Sequence, residues 1–317
     1  MREYKIGNNE AGQRLDKYLF KLLKNAQTSL IYKQLRNKNI TLNNHKAKGN
    51  EILNCDDIVK IFMSEETIDK FSAKNICSIT ETSQKLKVIY EDENIILADK
   101  PYGILSQKSK PSDISMNEIL LNYLLDGGVD ANSYNTFKPA FCNRLDRNTS
   151  GMMIAGKSLK GLQKMSELLK NRTLHKYYLA IVNGKIDEPA RIKGYLFKDK
   201  RTNMVSITGK NTDANRDGIE TAYFPLQSNE EFTLLKVELI TGKTHQIRAH
   251  LASIGHSILG DPKYGDTGVN AKYRIKYQML HSYELVFPEM EDGYEGISGK
   301  TFRTDYPEAF KKFFNEV

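Results

Sequence analysis

Cysteine is scarce: Cys55, Cys77 and Cys142 are the only three in 317 residues, and no two stand in a CxxC pair. Neither a disulfide framework nor a cysteine zinc site is indicated, and a reduced, cytoplasmic setting is expected. Long apolar runs are missing as well. No stretch approaches the roughly 18 residues that a membrane span needs, and Met1 to Gly7 contains no apolar segment of signal-peptide length. A soluble chain with no membrane partner is the expectation. The signatures of metal and nucleotide sites are incomplete. Gly242-Lys243-Thr244 looks like the end of a phosphate-binding loop, but the earlier glycine of that motif would fall on Val237. His245, His250 and His256 make no HExxH pair and have no acid among them, so no metal is expected.

What the chain does have is length and positive charge. At 317 residues it exceeds an ordinary single domain, and its net charge of +8 with a pI near 9.1 suggests a polyanionic partner. The charge is concentrated. Residues 14 to 48 hold nine Lys or Arg against one acid, Asp16, so the rest of the chain is close to neutral. Leu15, Leu19, Leu22 and Leu23 fall on one helical face, with Lys17, Lys21 and Lys24 elsewhere on its surface. A second helix starting near Thr28-Ser29 would turn Leu30, Ile31 and Leu35 inward and Lys33, Arg36 and Lys38 outward. Ile40 to Leu42 and Ile58 to Phe62 read as short strands. These elements define a first domain over residues 1–66. A polar stretch without period at 67–85 reads as a linker, and a second domain follows over 86–317.

In the second domain, Leu86 to Tyr90 and Ile95 to Ala98 read as paired strands, after which Pro101 and Gly103 shape a loop. Lys160 to Lys170 has helical period, and Leu174 to Gly184 is a β-rich run on which Tyr177 and Tyr178 must face opposite ways. Residues 193–220 lack a core pattern and look like exposed turns and short strands. Thr233 to Ile240 regains a strand period, and Ile247, Leu251 and Ile254 mark a helix. Arg248 on that helix could point back toward the strand ends, where an arginine can hold a carboxylate by two hydrogen bonds. Phe310, Phe313 and Phe314 after Pro307 suggest a short amphipathic helix.

The segment around which the rest is organised is Asn143-Arg144-Leu145-Asp146-Arg147-Asn148-Thr149-Ser150-Gly151. Its acid sits between two arginines in turn vocabulary. Flanking guanidinium groups would favour the ionised carboxylate, making Asp146 available as nucleophile or base. On composition alone, a surface ion pair on a loop is the simpler account.

The order of residues adds to that. Arg144-Leu145-Asp146 followed by Thr149-Ser150-Gly151 resembles the signature of the RluA-type pseudouridine synthases. Lys176-x-Tyr178-x-Ala180, Thr241 to Leu251 with Gln246-Ile247-Arg248, Gly260-Asp261-Pro262, and Leu280-His281-Ser282 resemble further motifs of that family, in the right order. Asp99-Lys100-Pro101-Tyr102-Gly103 resembles its Lys-Pro-x-Gly element, a weak motif alone. Gly12-x-Arg14-Leu15-Asp16-Lys17 with the basic helix and strands after it resembles an S4 RNA-binding domain. The resemblance implies an α+β protein: a small α/β S4 domain, then a catalytic domain with a mixed, largely antiparallel central sheet and flanking helices.

The same resemblance implies conversion of uridine to pseudouridine in RNA without metal or other cofactor. Asp146 would be the catalytic acid, Tyr178 the ring facing the target base, and Arg248 the partner of Asp146. Arg144 is the candidate to occupy the space left by an extruded uridine, with Gly151 and Leu280 supporting the site. Arg14, Lys17, Lys33, Arg36 and Lys38 are the candidate RNA contacts of the first domain. The implied substrate is 23S ribosomal RNA, with no obligatory protein partner. Transfer RNA, or a non-catalytic role in ribosome assembly, is the alternative. Two positions depart from the family pattern: Asn143 stands where His is usual, and Lys243 replaces a common Arg, keeping the charge but losing the planar fork.

Overall fold

The computed structural model describes residues 1–7, 9–72, 80–129, 133–134, 136–198, 205–208, 217–291 and 293–315. The chain divides into two compact units: residues 1–96 with 114–142 and 154–166, and residues 97–113 with 143–153 and 167–317.

In the first unit, β1 (Arg2–Lys5), β2 (Ile40–Leu42), β3 (His45–Lys46) and β4 (Ile58–Ile61) form an antiparallel sheet ordered β1-β4-β2-β3. Two helices, α1 (Leu15–Leu22) and α2 (Thr28–Arg36), supply the apolar faces that share its core. Leu15, Tyr18 and Leu19 recur at i, i+3 and i+4 and are buried, as are Ile31 and Leu35 four apart. Leu30, expected inward, is only partly buried. The stretch read as a linker opens with a helix, α3 (Glu65–Phe71). Ser64 caps it by accepting from the Thr67 N–H, Glu65 and Glu66 suit the positive end of the helix dipole, and Ile68 is its one buried anchor. A single buried residue leaves no period to read. Residues 73–79, and Cys77 with them, lie outside the described residues. The first unit also contains β5 (Lys87–Glu91), α4 (Met116–Asp126) and β7 (Ala140–Phe141).

The division of the chain passes within β6 (Ile95–Lys100), β8 (Ser150–Gly156) and α5 (Leu159–Asn171). The second unit adds β9 (His175–Asn183), β10 (Ala190–Lys198), β11 (Val205–Thr208), β12 (Asp217–Ser228), β13 (Phe232–Leu239), β14 (Leu280–Val286) and β15 (Thr301–Arg303). Its strands run in the order β11-β10-β12-β13-β9-β14-β8-β6, with β15 beside β14. The pairings from β11 to β14 are antiparallel, whereas β14 and β8 run parallel, so the sheet is mixed and the α+β expectation holds. Every residue of β8 is buried, which is why its sequence is a continuous apolar run rather than an alternation. The opposite holds in β10 and β12, where Phe197, Phe224 and Leu226 are exposed while Leu196, Ile219, Ala222 and Tyr223 are buried. Apolar residues on both faces hide the period, so the end of β10 and the start of β12, two long strands, run through the stretch that read as exposed turns and short strands.

Two helices of the second unit, α6 (Gln246–Ser253) and α7 (Thr267–Lys272), follow β13. The expected C-terminal amphipathic helix is a 3-10 turn, Phe310–Lys312, that buries Phe310 and Phe314 and sets Phe313 edge-on to Phe232 and Tyr273. Among the described residues, no helix is long and apolar enough to cross a membrane.

Candidate active site

Asp146 lies on the loop entering β8, and the loop is held from both ends. The Asp146 carbonyl accepts the Thr149 N–H at 3.0 Å, closing a tight turn. Ser106 holds the residue before the acid: its Oγ donates to the Leu145 carbonyl (2.8 Å) and accepts the Leu145 N–H (3.0 Å). Lys100 holds the residues after it. This side chain is completely buried, and its Nζ donates to the carbonyls of Pro101, Arg147 and Thr149 at 3.1, 2.9 and 2.7 Å. Burial pushes the Lys100 pKa down to about 7, while Asp146 and Asp99 pull the other way. Three carbonyl acceptors call for three N–H donors, which only the ammonium form supplies. The weak Lys-Pro-x-Gly element is thus a clamp on the loop that carries the acid. Gly151, one residue into β8, faces Ser282 across the parallel pair, and a Cβ there would overlap the Ser282 backbone.

The arginines expected to flank the acid do not contact it. Arg144 and Arg147 are exposed, and Arg147 Nε donates to the Gly103 carbonyl at 2.9 Å. The cation beside the carboxylate comes from 102 residues further along: Arg248 Nη1 donates to Asp146 Oδ2 at 2.6 Å. The rest of its fork is taken by Asp261, through Nε to Oδ2 at 2.7 Å and Nη2 to Oδ1 at 2.8 Å. The two-bond partner foreseen for Arg248 is therefore Asp261, and Asp146 receives the third arm. Burial alone would raise the Asp261 pKa, but hydrogen bonds and charge from Arg248 and the N–H groups of Lys263 and Tyr264 hold it below the usual carboxylate range. Burial likewise works against the Arg248 cation, and the two carboxylates outweigh it.

Helix α6 is pinned at its start by Gln246. The Gln246 amide accepts from Thr241 Oγ1 and the Lys243 N–H, and donates to the Glu220 carbonyl and Thr221 Oγ1. This fixes the turn on which Arg248 projects. Tyr178 is buried on β9 between Val237 of β13 and Ser282 of β14, while Tyr177 is half-buried beneath Lys236 on the other face. Burial raises the Tyr178 phenol to about 12; hydrogen bonding with Ser282 opposes this and the charge of Asp146 adds to it.

Asp146, Tyr178, Arg248, Arg144 and Leu280 all line one cleft, together with Thr149, Lys243 and His245. Three catalytic candidates from distant parts of the sequence are brought together. Arg14, Lys17, Lys33, Arg36 and Lys38 belong to the other unit and are exposed there; Arg14 pairs with the buried Asp16 at 2.7 Å. Among the described residues, no cluster of three or more His, Cys, Asp or Glu is placed to hold a metal. Sequence reasoning missed Asp261, His245 and the clamp by Lys100 and Ser106. Asp261 was within reach, because it stands in the Gly260-Asp261-Pro262 motif and a buried guanidinium calls for a carboxylate partner.

The family model for RNA pseudouridylate synthase matches residues 94–253, half of the chain, and spans Asp146, Tyr178 and Arg248. The chain belongs to the RNA pseudouridylate synthase family. It is an isomerase that makes pseudouridine in RNA. An uncharacterised RNA pseudouridine synthase of Mycoplasma genitalium is 33% identical over 91% of this chain and 90% of its own length. The ribosomal large subunit pseudouridine synthase C of Pasteurella multocida is 31% identical over 95% and 89%. Synthase D of Nitrosomonas europaea is 28% identical over 92% and 81%. The fold resembles that of the human RNA pseudouridylate synthase domain-containing protein 4, with a TM-score of 0.57 at 21% identity, covering 71% of this chain and 90% of that one.

Proposed function

We propose that this pseudouridine synthase modifies uridine in large-subunit (23S) ribosomal RNA, with Asp146 as the catalytic residue. The observation that carries the site assignment is the state of its carboxylate. Oδ2 is occupied by Arg248, whose other arms are fixed on buried Asp261, while Oδ1 has no hydrogen-bond partner among the described residues. One oxygen orients the group and the other is left to react.

The reaction breaks the C1′–N1 bond of uridine, turns the detached uracil, and forms a C1′–C5 bond. C5 loses a proton and N1 gains one, so no atom is added or removed and no redox partner or group donor is needed. Asp146 Oδ1 either attacks C1′ or removes a sugar proton to give a glycal, and the Arg248 hydrogen bond on Oδ2 holds the carboxylate in place for either. Tyr178 packs against the base, and its hydroxyl assists proton removal from C5. A uridine inside folded RNA must first leave the stack, at a cost of a few kcal/mol, and Arg144 at the cleft fills the space it vacates.

Residues 1–66 act in this reading as an S4 RNA-binding domain. Lys33, Arg36 and Lys38 at the end of α2 and Arg14 and Lys17 at the start of α1 meet phosphates, positioning the RNA without reading its sequence. The named ribosomal relatives support the ribosomal over the transfer RNA substrate, and a ribosomal substrate implies work in the cytoplasm. The test is a pseudouridine map of total RNA from cells that lack the gene, complemented with wild type or Asp146→Asn. Wild type should restore sites in 23S RNA and the variant none. Restoration only in transfer RNA, or restoration by the variant, would overturn the substrate or the residue respectively.

A further inference from the structure

His245 falls within the Thr241 to Leu251 motif and the failed metal pattern, and neither gives it a role. It stands directly before α6 in the left-handed region, at φ 56°, with its ring largely buried. Its Nδ1 lies 3.1 Å from the Tyr264 hydroxyl, and that oxygen already accepts the Val205 N–H at 2.9 Å. The phenol proton is then free to point at Nδ1. A neutral imidazole that accepts at Nδ1 carries its hydrogen on Nε2. Nε2 is 3.8 Å from Asp146 Oδ2, the same oxygen that Arg248 holds. Tyr264 braces both donors: its ring is edge-on to the imidazole, and its centroid is 5.3 Å from the Arg248 guanidinium carbon.

We propose that His245 is a positioning residue for the Asp146 carboxylate, its Nε2–H closing onto Oδ2 when RNA fills the cleft so that Oδ1 alone meets the ribose. Active-site hydrogen bonds are often long before substrate binds and tighten afterwards, which matches a donor waiting at 3.8 Å. The inference rests on Asp146 being the catalytic residue. Burial holds the His245 pKa below its ordinary value. Among the charged and titratable groups around it, Asp146 and Asp261 oppose that shift, Arg248 and Lys263 reinforce it, and Tyr264 supplies the hydrogen bond. The ring is therefore a neutral donor at working pH.

Two substitutions separate positioning from a merely structural role, because the two roles rank them in opposite order. In His245→Gln the amide nitrogen reaches about as far as imidazole Nε2, but glutamine has no preference for the left-handed backbone. In His245→Asn the backbone suits the residue, and the amide stops short near Nδ1. Single-turnover rates at saturating enzyme, RNA affinity and circular-dichroism melts are measured for both, beside Asp146→Asn.

The Asn variant should fold and bind RNA normally but react about tenfold slower, the loss of one charge-assisted hydrogen bond. The loss should appear in the rate at saturating enzyme and leave RNA affinity in place. The Gln variant should stay within about threefold of wild type. An Asn variant with the wild-type rate, or a Gln variant that shares the full loss, overturns the inference. Activity in Asp146→Asn would instead remove the reading on which it rests.

Discussion

Replacing Asp261 with Asn tests whether the site is organised around one shared guanidinium. The Asp261 carboxylate is completely buried and accepts four hydrogen bonds: two from the Arg248 fork and one each from the Lys263 and Tyr264 N–H groups. Asn can keep the oxygen that serves the two backbone donors, but its amide N–H then faces the Arg248 Nε–H, two donors with no acceptor between them. Removing one partner of a buried ion pair costs about 3–5 kcal/mol, and Asp146 still holds one arm of Arg248, so the lower end applies. Urea unfolding followed by far-UV circular dichroism, suited to a chain without tryptophan, should show a loss of about 3 kcal/mol.

The pH dependence fixes the sign. The folded pKa of Asp261 is depressed, so its contribution is complete above the unfolded value of about 3.9 and is lost as pH falls through the folded value. The gap between wild type and variant should be constant from about pH 5 to 8 and should close only in stronger acid. Single-turnover pseudouridine formation should fall as well, because a released Arg248 no longer fixes Oδ2. A variant within about 0.5 kcal/mol of wild type and equally fast would refute the shared-fork account.

Tyr178→Phe should slow single-turnover chemistry about 100-fold or more while RNA affinity stays near normal, if its hydroxyl takes part in proton transfer; equal rates would assign the ring to packing alone. Replacing Lys33, Arg36 and Lys38 together with Gln should weaken RNA binding and flatten its salt dependence by about 0.7–0.9 in log–log slope per lost phosphate contact, with little change in saturated chemistry. Unchanged affinity and slope would remove the first domain from the RNA interface. His250, buried with Nδ1 on Thr221 Oγ1, is held by burial at a pKa of about 4. Below about pH 6.5 the unfolded chain takes up a proton that the fold refuses, so stability should drop by about 3 kcal/mol between pH 6.5 and 4, and His250→Gln should flatten that slope.

Asp146, Tyr178 and Arg248 were legible because each sits in a motif of fixed order, and the structure brings all three to one cleft. Strand alternation set Tyr177 and Tyr178 on opposite faces and the motif spacing chose Tyr178; the structure buries Tyr178 and half-buries Tyr177. The error at Asp146 is instructive. Adjacent arginines in sequence suggested adjacent charges, yet neither touches the carboxylate, and the cation is Arg248 from a helix 102 residues away, the partner the resemblance implied. Asp261 and Ser106 escaped notice for the same reason, since a loop contact leaves no period. Lys100 was hidden by its own chemistry: a lysine beside proline and glycine reads as a surface turn, and only three inward carbonyls make burial tolerable.

The shared guanidinium also gives the cleft a polarity. Of the two carboxylates on that guanidinium, Asp261 is completely buried and Asp146 alone lines the cleft. Arg144, Lys243 and Arg248 line it with the opposite sign, so the charges that face an entering nucleotide are three cations and one carboxylate. A polyanionic chain is drawn to such a lining, and added salt should weaken that pull. Burying Asp261 thus lets the fold brace its arginine without presenting a second negative charge to the RNA.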